Sequence, residues 1–214
     1  MSKEQYVHVR EEPFHQRRYE NAFVRTYDAL IPPGAQSLYH LHNEDTFYVS
    51  IVEARQITEQ TWGTSETITN ERIPSGIAIC RHHRDEPLIH QVTNGGDVPM
   101  RMIGAEIKAC PEVWSANLFE GPGHTLLRDD KRYRAYRLCL EPGESTGEIT
   151  YGFSGLTVFL SQCCIAYETA LGTSRILTCE GGDTLWHDGP VACIITNVAE
   201  TPLQAIVAEW TGGS

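Results

Sequence analysis

The chain has 214 residues, 41% of them hydrophobic and 21% charged, with a formal net charge of -11. That acidity argues against nucleic acid and against anionic membrane surfaces, both of which need a basic face. No apolar run approaches the roughly 20 residues of a membrane helix, and the polar start at residues 1–5 leads into no apolar signal core, so a cytoplasmic protein is expected.

Taken in order, the chain reads as strands and turns. His8 and His15 lie in a polar N-terminal segment. Residues 47–52 and 100–103 are β-branched, aromatic or apolar runs of strand type. Residues 58–70 are polar and Thr-rich, and Pro74-Ser75-Gly76 marks a turn. Residues 80–86 form a charged loop ahead of the run from Pro87 to Asn94. A connector with Pro and Gly punctuation follows, in which Trp114, Leu118 and Phe119 are expected to pack down. Strand-like runs return at 156–160 and 203–207. Trp62 and Trp114 are read as core packing. Seven cysteines occur without a CxxC pair, mostly in apolar runs, and are read as reduced, buried small hydrophobes.

The second half repeats the first. Arg25-Thr26-Tyr27 corresponds to Arg134-Ala135-Tyr136, Pro33-Gly34 to Pro142-Gly143, Val49 to Val158 and, counting without a gap, Glu59 to Glu168. Thr93-Asn94 falls on Thr196-Asn197, Pro99 on Pro202, and Ala105-Glu106 on Ala208-Glu209. Repeated turn residues weigh more than repeated apolar ones, because backbone geometry fixes them. Short strands with frequent turns indicate a sandwich or barrel. The expected organisation is a first barrel at 1–107, a connector at 108–129 and a second barrel at 130–214.

The chemistry concentrates in the first repeat. His40 and His42 are two apart in a strand-like stretch, so both imidazoles share a face. His90 joins them if its strand pairs nearby. In the second repeat the three positions hold Ile149, Tyr151 and Cys193, which cannot build this site, so that barrel reads as structural. The loop before His90 offers Arg81, His82 and His83 as substrate-binding groups. His82 and His83 are adjacent, so at most one faces a pocket. Tyr48 has the parity of His42 and is a further candidate. His8, His15, His124 and His187 are not assigned to the site.

The run from Gly34 to His42 resembles the first cupin motif, a glycine, five residues and then HxH. His90 to Asn94 resembles the end of the second, and Pro74-Ser75-Gly76 its PxG turn. The resemblance implies an all-β chain of two tandem cupin barrels (double-stranded β-helix, or jelly roll), the second degenerate. It implies a metal held by His40, His42 and His90. The cupin glutamate beyond the second histidine is absent, since Thr46 and Phe47 stand there. A strand bulge would instead bring Asp45 or Glu44 to the ion. The resemblance further implies one divalent ion per chain, Fe(II) ahead of Zn, Ni, Cu or Mn, and a dioxygenase acting on a small chelating substrate. The alternatives are a lyase, isomerase or decarboxylase that needs no dioxygen, and a non-catalytic binding protein. The resemblance also implies a homodimer, because cupins commonly pair and sheet edges need cover, with the N-terminal segment packing across the other subunit as such arms do in many cupins.

Overall fold

The computed structural model describes residues 6–112, 117–130 and 132–210, and Trp114 lies outside them. The chain divides into two compact units, 1–109 and 110–214. In chain order the first unit has β1 (Val7–His8), β2 (His15–Glu20), β3 (Val24–Ile31), β4 (His40–His42), β5 (Thr46–Ser50), β6 (Ala54–Thr61), β7 (Thr67–Ile73), β8 (Ala78–Arg81), β9 (Leu88–Asn94) and β10 (Met100–Ile107). The second has β11 (His124–Asp129), β12 (Tyr133–Leu140), β13 (Ser145–Tyr151), β14 (Gly155–Phe159), β15 (Cys163–Thr169), β16 (Ser174–Cys179), β17 (Thr184–His187), β18 (Val191–Asn197) and β19 (Leu203–Trp210). Among the described residues the one helical turn is a 3-10 turn at Val9–Glu11.

Each unit is a two-sheet jelly roll. The first has sheets ordered β1-β4-β9-β6-β7 and β2-β3-β10-β5-β8, the second β13-β18-β15-β16 and β11-β12-β19-β14-β17. Apart from β1, every strand of the first unit has a counterpart in the second. The polar stretch 58–70 contributes to the hairpin of β6 and β7, whose outward residues meet solvent. Along β9 and β18 buried residues alternate with half-buried ones, the period expected when one face packs inward.

Two expectations are corrected, those for the connector and for the cysteines. Residues 124–129 of the supposed connector form β11, which pairs with β12. The N-terminal segment pairs with its own chain, Val7 beside His40 in a parallel bridge. The cysteines divide: Cys163, Cys179 and Cys193 are buried, but Cys110 and Cys139 are exposed, Cys139 because it falls on the outward face of β12.

The repeat correspondence also shifts within β6. Ile57 pairs with Asn94, and Ile165 with Asn197. This register places Glu59 on Tyr167 rather than on Glu168. The first unit carries one more residue between Ala54 and Ile57 than the second has between Cys163 and Ile165. There Gln56 takes a left-handed φ of 52°, unique among the described non-glycine residues.

The repeated asparagines hold backbone. Asn94 is fully buried; its Nδ2 donates to the carbonyls of Ile31 and Val98, both at 2.9 Å, and its Oδ1 accepts from Gly96 N at 3.0 Å. Asn197 repeats the pattern with Leu140, Thr201 and Ala199. A buried ion pair is repeated as well, Arg25 to Glu106 at 2.7 Å and Arg134 to Glu209 at 3.6 Å.

The two interiors differ. In the second unit Leu138, Tyr151, Phe153, Phe159, Tyr167 and their neighbours pack solidly, with half-buried Phe119 against them, leaving a void of about 20 Å³. In the first unit a cavity of about 290 Å³ remains.

Each buried asparagine satisfies three backbone groups, and its loss strands them away from water. Asn94→Ala and Asn197→Ala are each expected to cost about 2–4 kcal/mol, read as a lower urea midpoint. Asn94→Asp, which cannot donate twice, should not rescue the loss.

Candidate metal centre

The pairing of β4 with β9 places His40 directly opposite His90. Residues opposed across an antiparallel pair have Cβ atoms about 4.5–5.5 Å apart. His42, two residues along β4, presents its ring to the same face. All three are buried, and each offers one ligand atom within 4.8 Å of the others. Their ring centroids lie 4.7–5.0 Å apart.

The outer nitrogen of each ring has a partner. His40 Nδ1 donates to the Leu38 carbonyl at 2.8 Å. His90 Nδ1 donates to Glu59 Oε2 at 3.2 Å. His42 Nδ1 lies 3.2 Å from Tyr48 Oη, which lies 3.3 Å from His83 Nε2. With His42 donating to Tyr48 and the tyrosine hydroxyl donating on to His83, all three rings carry their proton on Nδ1. Their Nε2 lone pairs then face inward, and those of His42 and His90 are 3.1 Å apart. In that tautomer the two lone pairs face one point that a cation can share; with Tyr48 donating to His42 instead, His42 Nε2 donates to His90 Nε2. Outer partners of this kind fix ring orientation in metal sites. The donor set therefore fits a divalent ion, with imidazoles suited to Zn, Cu, Fe or Ni.

Burial favours the neutral, ligand-competent rings. It lowers His40 to about 3, with His90 adding to the effect, and it lowers His42 well below the usual range for the same reasons. His83 falls to about 4 through burial and then the Arg81 charge. Glu59 moves the other way. Burial raises it, but hydrogen bonds from His90 and Arg81 outweigh burial and hold it at about 2, so it is ionised. Arg81 grips Glu59 with both nitrogens, at 2.8 and 2.9 Å.

The remaining candidates sort by orientation. Tyr48 and Arg81 line the cavity. His83 turns inward and stacks on His42 at 4.9 Å, while His82 turns toward Asp45, 3.7 Å away. The structure does not bring Asp45 or Glu44 to the cluster. Asp45 accepts from Arg84 N at 3.0 Å, and Glu44 from Arg84 Nε at 2.8 Å, so both clasp the charged loop. No bulge re-aims them, since β4 ends at His42 and the turn carries both away. Trp62 packs edge-on to Tyr39 at 4.7 Å and is partly exposed.

Two site residues escape the sequence reading. Glu59 is hidden by the extra residue in β6. His15, from β2, lines the cavity with its ring 4.9 Å from that of His40, and its Nδ1 donates to the Val9 carbonyl. Burial lowers His15 to about 4. Its counterpart is His124: His15 pairs with Ala29 as His124 pairs with Leu138. The spacing that separates Arg25 from Arg134 also separates these two histidines, and that was the available signal. His124 Nε2 lies 2.6 Å from the hydroxyl of Tyr151, which stands where His42 does.

No protein-family model and no curated protein matches the sequence. Solved structures do match. The formate complex of Lactobacillus farciminis oxalate decarboxylase is 11% identical, over 94% of this chain and 84% of that one, with a TM-score of 0.61. Bacillus subtilis oxalate decarboxylase, described with Mn(II) centres, is 11% identical over 92% and 75%, with a TM-score of 0.59. A variant of salicylate 1,2-dioxygenase from Pseudoaminobacter salicylatoxidans is 14% identical over 89% and 72%, with a TM-score of 0.57. The chain has the cupin fold, twice over.

His40→Ala is expected to abolish zinc retention, and Glu59→Gln to weaken it by about 10- to 100-fold, both read by metal analysis after dialysis. Acid lability follows from the buried rings. His15, His40 and His83 titrate lower folded than their ordinary 6.5, so the unfolded chain binds more protons below that value. Stability of the metal-free protein should be full above pH 6.5 and fall as pH drops toward 3–4. His15→Gln should flatten that fall in urea titrations.

Proposed function

We propose that the chain is a metal-dependent enzyme, a mononuclear non-haem iron oxidoreductase of dioxygenase type acting on a small chelating organic substrate. The observation that carries the reading is the convergence of three buried imidazoles, anchored from behind, on one wall of a 290 Å³ cavity. Bound there, a divalent ion would supply a Lewis-acidic centre for a chelating substrate and, as iron, for dioxygen. His40, His42 and His90 would hold it through Nε2.

The chain's own groups do the rest. Three uncharged donors leave the ion's charge uncompensated, which favours an anionic substrate. Glu59 holds the His90 ring in place and is itself held by Arg81. Tyr48 presents a buried hydroxyl, kept protonated because burial raises its pKa. The apolar walls exclude water around the substrate, which strengthens each polar contact.

A second reading keeps the ion and drops the oxygen. The Tyr48 hydroxyl beside the cluster is placed for proton transfer, which suits a lyase, isomerase or decarboxylase.

Anaerobic loading with Fe(II), followed by oxygen electrode traces with diketones, thiols and phenols, tests the first reading. Oxygen uptake with at least one class is expected, lost in His90→Ala. Turnover with Zn or Ni under nitrogen, without oxygen uptake by the iron form, would overturn it in favour of the second.

A further inference from the structure

The cavity beside the histidines has a chemical polarity along its length. On β9 the inward residues run His90 and then Val92; on β3 they run Tyr27, Ala29 and Ile31. Two residues along a strand span about 6.6 Å. One step from the cluster, the wall is mainly aliphatic: Ile31, Ile57, Ile79, Val92, Met100 and Met102 line it, with Asn70 and Arg72 of β7 beside them. A volume of 290 Å³ corresponds to roughly ten water molecules at about 30 Å³ each. This is the small end of ligand pockets.

Charge narrows the ligand further. Two cations line the cavity, and both are engaged by carboxylates. Arg81 is bound bidentately to Glu59, and Arg72 donates to Glu53 at 2.7 and 3.0 Å. A second acidic group on a ligand would have to compete with a carboxylate already held by either one. An anionic end belongs at the histidine cluster, and an anionic far end would be buried against aliphatic side chains at large desolvation cost.

We infer that the cavity takes a small monoanionic chelator with an uncharged aliphatic tail, its head at His40, His42 and His90 and its tail along the wall from Val92 to Met100. This rests on the metal reading for the head, while the tail assignment rests on the wall alone.

The test uses calorimetry on the Zn(II)-loaded protein with straight-chain 2-oxo acids of three to six carbons. Each added CH2 should tighten binding about three- to fourfold. 2-Oxopentanedioate, with a second carboxylate at the tail, should bind at least tenfold more weakly than 2-oxopentanoate. In parallel, 1-alkanols of three to six carbons are titrated into metal-free protein, read by the methyl shifts of Met100 and Met102, and should show the same increment. Met102→Phe should erase the gain beyond four carbons with zinc stoichiometry unchanged.

Equal affinity along both series, or tighter binding of the dicarboxylate, overturns the inference even if zinc binds. Failure of zinc to bind, with the alkanol increment intact, removes the metal reading and leaves the aliphatic tail site standing. If Met102→Phe does not fold, the wild-type series decides alone.

Discussion

The antiparallel register that sets His40 against His90 is the constraint on which the site depends. A slip of one residue between β4 and β9 would turn the imidazoles of β4 to the opposite face. The register is secured from outside the pair. Ser37 Oγ accepts from Val92 N at 2.9 Å, Gln91 Nε2 donates to the Ser37 carbonyl at 2.8 Å, and Asn94 ties the end of β9 to Ile31. With the strands so fixed, Leu38, Glu59 and Tyr48 need only meet the outer nitrogens to aim three lone pairs at one point.

The two barrels show the same framework put to different uses. Both keep the buried asparagine and the buried Arg–Glu pair, which serve backbone and sheet geometry. Where the first has His40, His42, His90 and Glu59, the second has Ile149, Tyr151, Cys193 and Tyr167, and the interior closes to about 20 Å³. A packed interior gains dispersion and burial energy. The hollow one forgoes that gain and also buries imidazoles that must stay neutral. Retention of such a cavity beside converging donors is what makes the first barrel the candidate site, because the fold itself is shared.

The histidine triad was legible because HxH parity in a strand is a local geometric fact and because glycine and asparagine turn positions anchored the repeat. Tyr48 followed from the same parity. Glu59 was not legible: Gln56 adds a residue to β6, so counting by equal spacing slides Glu59 onto Glu168 when its true counterpart is Tyr167. His15 was legible in principle, at the spacing of the repeat from His124, but β2 had no strand signature strong enough to extend the repeat backwards. Asp45 and Glu44 were close in sequence to the histidines, yet the turn after His42 commits them to Arg84.

The sequence by itself determined the doubled all-β architecture, the asymmetry between the repeats and the three converging histidines, because alternation and turn chemistry act over a few residues. Tertiary structure alone decided which groups stand behind the three histidines, that Arg81 is neutralised by Glu59, and that one barrel is hollow. Those outcomes depend on pairing between strands distant in the chain, where one inserted residue changes what each side chain faces.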